Sequence, residues 1–339
     1  MTVGSARDPQ LTATRIVGVD AARGLAVFGM FVAHLIPEQW PETLADGRSS
    51  VLFAVLAGVS LGLITGGPQK PPVDARNRLR LSVLLRALFL IALGLLLWTL
   101  DSGIAIILDY YGAFYLVLLP VLFLPRSGLV ALAGAFAAAA TLILPRAPDT
   151  AAGLTGSNLA LYLPAEWFLT GYYPGLLWLV YLLLGLLAAR SDLTRRRTQL
   201  ALLIGGAAGT ILGYGGAALL GADASAHSDT VWELMGAGGL ASAIVGGLTL
   251  LTAMPTSARI ARPLLSPVSA VGAMPLTIYT TQIILIAAFR GAWGDGGSDS
   301  ERLTLLLGLV VGSLLLATVW GRLLGRGPLE RLVGRLSRR

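Results

Sequence analysis

The sequence predicts an all-α, multi-pass integral membrane protein with about ten transmembrane helices and with both termini in the cytoplasm. The 339-residue chain is 55% hydrophobic and only 13% charged, with a mean hydropathy of +0.76, whereas soluble domains carry about 25% charged residues. Ten apolar segments approach the roughly 20 residues that a helix needs to cross the hydrocarbon core. Arginines are concentrated in alternate loops, as the positive-inside rule requires.

The predicted spans follow one another with mostly short connections. In order they cover residues 16–36, 48–66, 79–99, 103–124, 127–145, 172–189, 199–220, 232–254, 268–289 and 303–320. With the N-terminus inside, the outer loops hold only Arg48, Arg146, Arg290 and Arg302. We divide the chain into a cytoplasmic tail (1–14), a transmembrane domain (15–320) and a basic amphipathic tail (321–339), which we expect to lie on the inner leaflet.

The composition excludes several classes of site. The chain has no cysteine, so it has no disulfide and no thiolate ligand. One of its two histidines, His227, falls in an outer loop among aspartates and serines, where we expect it to be solvated. Two histidines so placed make a poor metal site, and we predict no metal. The net charge of +7 follows from the inner-loop arginines, and no basic surface interleaved with aromatic residues indicates a nucleic-acid partner.

The first span carries two ionisable groups, Arg23 and His34. They are eleven residues apart, which is about three helical turns, so both lie near one face and roughly 16 Å apart along the axis. Ionisable residues in a membrane segment indicate function by default. Two simpler interpretations remain open: an Asp20–Arg23 pair that neutralises itself, and a histidine that faces water at the outer interface.

Further polar residues occur in spans three and four. Arg86 lies one to two turns into span three, where it either extends to the inner surface or binds a ligand. Asp109 lies at nearly the predicted depth of His34, and a carboxylate there could orient the imidazole. Tyr110 and Tyr111 follow directly and offer hydroxyl donors.

Two other segments are candidates for lining a site. Span nine contains Tyr279 and Gln282, which either join helices by hydrogen bonds or line the same cavity as His34. The longest outer loop, about 146–171, predicts a short helix or re-entrant piece. Within it, Glu166 and Trp167 could hold a sugar through a carboxylate and a stacking ring.

These residues carry a resemblance to transmembrane acyltransferases. Arg23-x10-His34 resembles the Arg-x10-His signature of acyltransferase-3 proteins, and "VDAARGLAVFGMFVAH" is more similar to heparan-α-glucosaminide N-acetyltransferase-like and YeiB-like proteins. Three further segments resemble the same branch: 86–120, "VGAMPLTIYTTQ" (271–282) and "GPLERL" (327–332).

The resemblance implies that acetyl-CoA or another acyl-CoA binds from the cytoplasm and that the acyl group passes to an acceptor outside, an envelope glycan amine or hydroxyl. His34 would be the base and Asp109 would orient it. In the animal lysosomal relative, the proposed catalytic histidine lies in the loop after the first helix, and the counterpart here, 37–48, has none. The resemblance therefore implies direct transfer with His34 as base rather than an acyl-histidine intermediate. Arg23 and Arg86 would hold the pantetheine and phosphate arm. The nucleotide phosphates would be bound by Arg76, Arg78 and Arg80. Donors to the thioester oxyanion would be Tyr111, Tyr279 or Gln282.

Two other functions remain as alternatives. A small-molecule transporter or flippase also needs buried charges, but the sequence shows no inverted repeat and predicts no paired broken helices. A scaffold would use the same polar residues only to join helices. We expect a plasma-membrane protein whose partners are the bilayer, acyl-CoA and the acceptor. The sequence leaves the acceptor, the acyl chain length and the oligomeric state open, a homodimer included.

Overall fold

The computed structural model describes residues 15–36, 45–148, 159–294 and 297–337, and within these ranges the chain is helical with no β-strand. The predicted tail 1–14 lies outside them. The helices are α1 (Val17–Leu35), α2 (Arg48–Ile64), α3 (Val73–Trp98), α4 (Leu108–Leu118), α5 (Arg126–Arg146), α6 (Ala160–Thr170), α7 (Gly175–Arg190), α8 (Arg196–Leu220), α9 (Val231–Ala253), α10 (Pro255–Gly272), α11 (Pro275–Trp293), α12 (Asp299–Leu323) and α13 (Pro328–Leu336).

Six of these described helices are long and apolar enough to cross a membrane: α1, α3, α5, α8, α9 and α12. Two further pairs pass the same test only together, because each is bent at a short break. The bend is 62° between α6 and α7 and 65° between α10 and α11. The expectation that broken helices are absent is therefore wrong, whereas the short helix expected in the loop before α7 is present as α6.

Helix α4 is much shorter than the predicted span 103–124. Its 11 residues rise only about 16 Å. The helix ends in a turn because Pro120 has no N–H with which to continue it, and Leu119 N–H instead donates to Leu116 O. The preceding segment is irregular, yet Ile106 and Ile107 are buried. Irregular backbone at membrane depth is tolerated where protein covers it.

Helix α1 lies inside the bundle, in contact with α2, α9, α10 and α12. Helix α2 is buried along most of its length and packs closely on α7. This approach depends on glycine, because a Cβ on Gly58 would collide with Leu182 O and one on Gly185 with Val55 O. The polar groups of α1 therefore face neighbouring helices.

The C-terminal segment is docked on the bundle. Helix α12 extends to Leu323, past the predicted domain boundary at 320, and α13 packs against α11 and α3. The Glu330 carboxylate accepts hydrogen bonds from Leu276 N (2.8 Å), Thr277 N (3.1 Å) and Thr277 Oγ1 (2.6 Å). Glu330 thereby caps the start of α11, whose own N-cap residue, Met274, makes no side-chain cap.

Candidate functional site

A cavity of about 350 Å³ lies where α1 ends, and we call it the His34 cavity. It is lined by polar groups from separate parts of the chain: His34 from α1, Ser49 and Ser50 from α2, Tyr279 from α11 and His227 from the loop before α9. The His34 cavity thus collects imidazole, hydroxyl and phenol groups inside a largely apolar bundle.

The His34 imidazole is held by Gln282. Gln282 Nε2 and His34 Nδ1 are 2.6 Å apart, and Gln282 is fully buried. If the amide NH₂ donates, the imidazole proton is on Nε2. If the amide is reversed, Nδ1–H donates to Oε1 and Nε2 keeps the lone pair that a base needs; the oxygen and nitrogen of an amide are assigned from such networks. Gln282 therefore sets the tautomer of His34.

Tyrosines support the irregular segment before α4 and also line the His34 cavity. Tyr279 OH accepts from Ile107 N at 3.3 Å, and Tyr173 OH donates to Ala105 O at 3.3 Å. Because the Tyr279 oxygen is the acceptor, its own hydrogen remains available for donation into the cavity. Tyr111 OH, in contrast, donates to Ser50 O at 3.4 Å. Of these hydroxyls, Tyr279 is therefore the suitable donor to a bound ligand.

His227 is not the solvated loop residue that the sequence suggested. Its ring centroid lies 4.1 Å from that of Tyr172 and 6.0 Å from that of Trp178, and it borders the His34 cavity. Glu233 Oε1 accepts from His227 N at 2.8 Å, and Glu233 Oε2 accepts from Asp229 N at 2.9 Å. The first turn of α9 therefore organises the loop that presents His227.

The same loop contains a carboxyl group, that of Asp229, with a raised pKa. Burial, together with the negative charge of Glu233, raises the pKa of Asp229 to about 7. Asp229 Oδ1 is buried and has no hydrogen-bond partner among the described residues. The loop thus contains a carboxyl group that titrates near neutrality.

No hydrogen bond joins Asp109 to His34 among the described residues, contrary to the expected dyad. Its Oδ2 accepts from Trp167 Nε1 at 2.8 Å, while Tyr110 OH donates to Glu166 Oε1 at 3.0 Å. The structure thus brings four predicted residues together, but as a brace between α4 and α6. Glu166 and Trp167 are thus both hydrogen-bonded to protein. The exposed aromatic ring at the His34 cavity is that of Tyr172.

Arg23 joins three helices. Its guanidinium donates to Asp20 Oδ1 (2.9 Å), Ser60 Oγ (2.9 Å) and Gly272 O (2.8 Å). The expected Asp20 pair is present, but Asp20 also accepts from Arg15 at 2.7 Å. Among the described residues that line the His34 cavity, Arg23 is not included, so the two groups of α1 occupy different levels of the bundle.

Arg86 differs from Arg23 because no described hydrogen bond or ion pair engages it, and its Nε is buried without a partner. Tyr115 interacts electrostatically with both Arg86 and Arg23, and the charge of Arg326, an exposed residue before α13, also acts on Arg86. We call Arg23, Arg86 and Arg326 the inner cationic cluster. It brings together a predicted pair of arginines and adds Arg326, which the sequence did not single out.

The three arginines near the start of α3 are arranged differently. The guanidinium carbons of Arg76 and Arg80 lie 5.5 and 5.4 Å from the Phe123 ring centroid. Arg76 Nε also donates to Pro71 O and Arg80 Nε to Leu119 O. Arg78 is exposed. These side chains form a basic surface rather than an enclosed site.

Arg190 has a structural role that the sequence did not reveal. The side chain is buried and donates to backbone oxygens of Gly62, Thr65, Gly67 and Leu122, and to Thr65 Oγ1. Carbonyl groups at a helix C-terminus lack intrahelical partners, and Arg190 satisfies several of them at the end of α2. Its only sequence signal is an arginine at the last position of an apolar span.

A family model matches the C-terminal part of the chain. Residues 184–339, less than half of the chain, match a family model described as "Protein of unknown function (DUF418)". YeiB-like proteins carry this family region, so the match agrees with the YeiB-like part of the resemblance. It includes Tyr279 and Gln282 but neither Arg23 nor His34, and so does not extend to the Arg-x10-His signature. No curated protein matches the chain.

Proposed function

We propose that this protein is a multi-pass acyltransferase of the plasma membrane that moves an acetyl or other acyl group from cytoplasmic acyl-CoA to an extracytoplasmic acceptor, an envelope glycan amine or hydroxyl. The observation that carries the proposal is the His34 cavity. There the buried amide of Gln282 holds the His34 imidazole, and the Tyr279 hydroxyl hydrogen is available for donation. A base and an oxyanion donor facing one space are the groups that acyl transfer needs.

The chemistry assigns a step to each side chain. His34 Nε2 accepts the proton of the acceptor hydroxyl or amine as that oxygen or nitrogen bonds to the thioester carbonyl carbon. Tyr279 OH donates to the carbonyl oxygen as it gains negative charge. The carbon–sulfur bond then breaks, and the imidazolium returns its proton to the thiolate of CoA. Gln282 positions His34 throughout, in the amide orientation that accepts from Nδ1–H.

The inner cationic cluster fits the acyl donor. Arg86 is half-buried, and its Nε is buried without a partner; such a nitrogen is costly unless an anion or polar ligand joins it. Arg86 and Arg23 would bind the polar groups of the pantetheine and phosphate arm. The exposed basic surface of Arg76, Arg78 and Arg80 would attract the nucleotide phosphates, for which guanidinium is well suited.

The membrane arrangement belongs to the same proposal. The six candidate spans and the two bent pairs supply eight crossings. Helix α2, with 17 residues and about 25 Å, supplies a ninth, and α4 with its buried flanking segment supplies a tenth. With ten crossings both termini would lie on one side, which the arginine-rich loops favour as the cytoplasm, and the His34 cavity would lie toward the outside. The inner cationic cluster then faces the side from which acyl-CoA comes.

Ligand binding tests the donor side. Acetyl-CoA should raise the melting temperature of the purified protein, because a ligand that binds only the folded state stabilises it, whereas acetate should not. Arg86→Gln should remove most of the shift. Arg197→Ala, which neutralises an exposed arginine at the start of α8, is the matched control and should retain it. An equal shift in wild type and Arg86→Gln would remove Arg86 from the donor site.

A transporter remains the second candidate because the structure contains two bent helix pairs, a feature of many transporters. In such proteins the free N–H groups of a broken helix bind an anionic substrate. Here Glu330 already occupies the N–H groups at the start of α11, which favours the enzyme. In vesicles loaded with labelled acetyl-CoA, the enzyme places only the acetyl label on an outside acceptor, whereas a transporter releases the labelled molecule unchanged.

A further inference from the structure

Two further cavities lie near the His34 cavity. The second, of about 210 Å³, lies between the end of α1 and the start of α12. The third, of about 550 Å³, lies between α11 and α12. Ile36 borders both the His34 cavity and the second cavity, and Ser300 borders both the second and the third. The three spaces are therefore neighbours in a row.

The character of the lining changes along this row. The His34 cavity presents imidazoles, hydroxyls and the Asp46 carboxylate. The third cavity is lined mainly by carbon, with side chains such as Leu285, Phe289, Trp293 and Leu305. Helix α12 packs on α10 and α1 and makes few contacts with α11, so the side that faces lipid is open. A polar end and an apolar end thus adjoin along the membrane.

From this gradient we infer that the acceptor is lipid-linked: its polar head reaches His34 while its hydrocarbon chain lies in the second and third cavities. This inference rests on the proposed acyltransferase function and specifies its acceptor class. The acceptor enters sideways from the leaflet between α11 and α12. The hydrocarbon chain moves from lipid to an apolar cavity and so loses little free energy on entry, and the lipid phase supplies the acceptor at high local concentration.

Two glycines of α12 provide a matched pair of variants. A Cβ added at Gly308 or at Gly312 meets no atom within 4 Å, and both positions are exposed on the same helix. Gly308 borders the third cavity, whereas Gly312, one turn further, does not. Gly308→Phe therefore fills the cavity, and Gly312→Phe adds the same bulk outside it.

The test uses the full-length protein in vesicles with dodecyl glucosaminide that carries a photoreactive diazirine at the chain end. We expect cross-links concentrated within residues 285–308, reduced roughly fivefold or more by Gly308→Phe and unchanged by Gly312→Phe. With labelled acetyl-CoA, dodecyl glucosaminide should be acetylated about tenfold more efficiently than methyl glucosaminide. Gly308→Phe should abolish this preference, whereas Gly312→Phe should keep both the preference and transfer to the methyl compound.

The outcomes separate the two proposals. Cross-links spread evenly over the helices, or equally retained in Gly308→Phe and Gly312→Phe, would overturn the lipid-chain site. Equal acetylation of methyl and dodecyl glucosaminide would also overturn the lipid-linked acceptor, while the acyltransferase proposal would stand. Cross-links confined to the third cavity without acetyl transfer to either compound would overturn the acyltransferase and its lipid-linked acceptor, and would leave only a lipid site.

Discussion

Removing the Glu330 carboxylate should destabilise the whole bundle, although the residue lies in the last short helix. Glu330 satisfies two backbone N–H groups and one hydroxyl at the start of α11. Loss of an N-cap side chain costs about 1–2 kcal/mol. Loss of a negative charge at a helix N-terminus costs roughly another 0.5–1 kcal/mol. Glu330→Ala should therefore lower the free energy of unfolding by about 1.5–3 kcal/mol.

The neutral analogue gives an intermediate expectation. Glu330→Gln keeps one acceptor oxygen for Leu276 N and Thr277 N, but its NH₂ group cannot accept from Thr277 Oγ1. Its cost should be about 1 kcal/mol. Arg335→Ala is the control, because Arg335 is exposed on the same helix and its loss should change stability by less than about 0.5 kcal/mol.

Thermal unfolding of the detergent-purified protein measures these differences. In a chain of this size each kcal/mol corresponds to roughly 2 °C, so Glu330→Ala should melt about 3–6 °C below wild type, with Glu330→Gln between them. Since α11 also carries Tyr279 and Gln282, acyl transfer should fall in the same order. A melting temperature of Glu330→Ala equal to that of Arg335→Ala would refute the capping argument, as would Glu330→Gln melting below Glu330→Ala.

Three further predictions follow from single groups. Burial and Glu233 raise the pKa of Asp229 to about 7, so the folded state binds this proton more tightly than the unfolded state. The free energy of unfolding should therefore fall as the pH rises from about 4 to 7. A plot of melting temperature against pH should be flatter for Asp229→Asn than for wild type. An equal slope in the two proteins would contradict this. Gln282→Glu should retain acyl transfer, because its carboxylate accepts from His34 Nδ1–H. Gln282→Leu should reduce transfer roughly 10- to 100-fold without loss of fold. Equal rates of transfer in Gln282→Leu and wild type would show that another group sets the tautomer of His34. Arg190→Met should destabilise the protein by about 3 kcal/mol or more, since it leaves buried carbonyl groups at the end of α2 without donors, and a denaturation midpoint unchanged from wild type would show that water replaces the guanidinium.

The sequence was sufficient for predictions that depend on periodicity and charge. A helix is present within each of the ten predicted spans, because apolar segments of this length have few other ways to satisfy their backbone in a membrane. The inward orientation of the polar groups of α1 could also be predicted, since a buried arginine cannot face lipid at low cost. Arg23 and His34 were identified on this basis alone.

Partners across the bundle could not be predicted, because they depend on how distant segments meet. His34 and Gln282 are 248 positions apart, and nothing local distinguishes Gln282 from Asp109 as the partner. The prediction that His227 is solvated is wrong because its loop is organised by Glu233, which belongs to the following helix. The sequence signal for Glu330 is one acidic residue within the basic tail 321–339. That tail predicts a surface helix, and nothing in it indicates that Glu330 caps α11.

The most direct test of the central claim is labelled acetyl transfer by His34→Ala protein in vesicles, measured beside its melting temperature with acetyl-CoA. We predict that the variant folds, keeps the melting-temperature shift caused by acetyl-CoA and loses transfer to the outside acceptor. Transfer by His34→Ala at the wild-type rate would show that the His34 cavity has no part in the reaction.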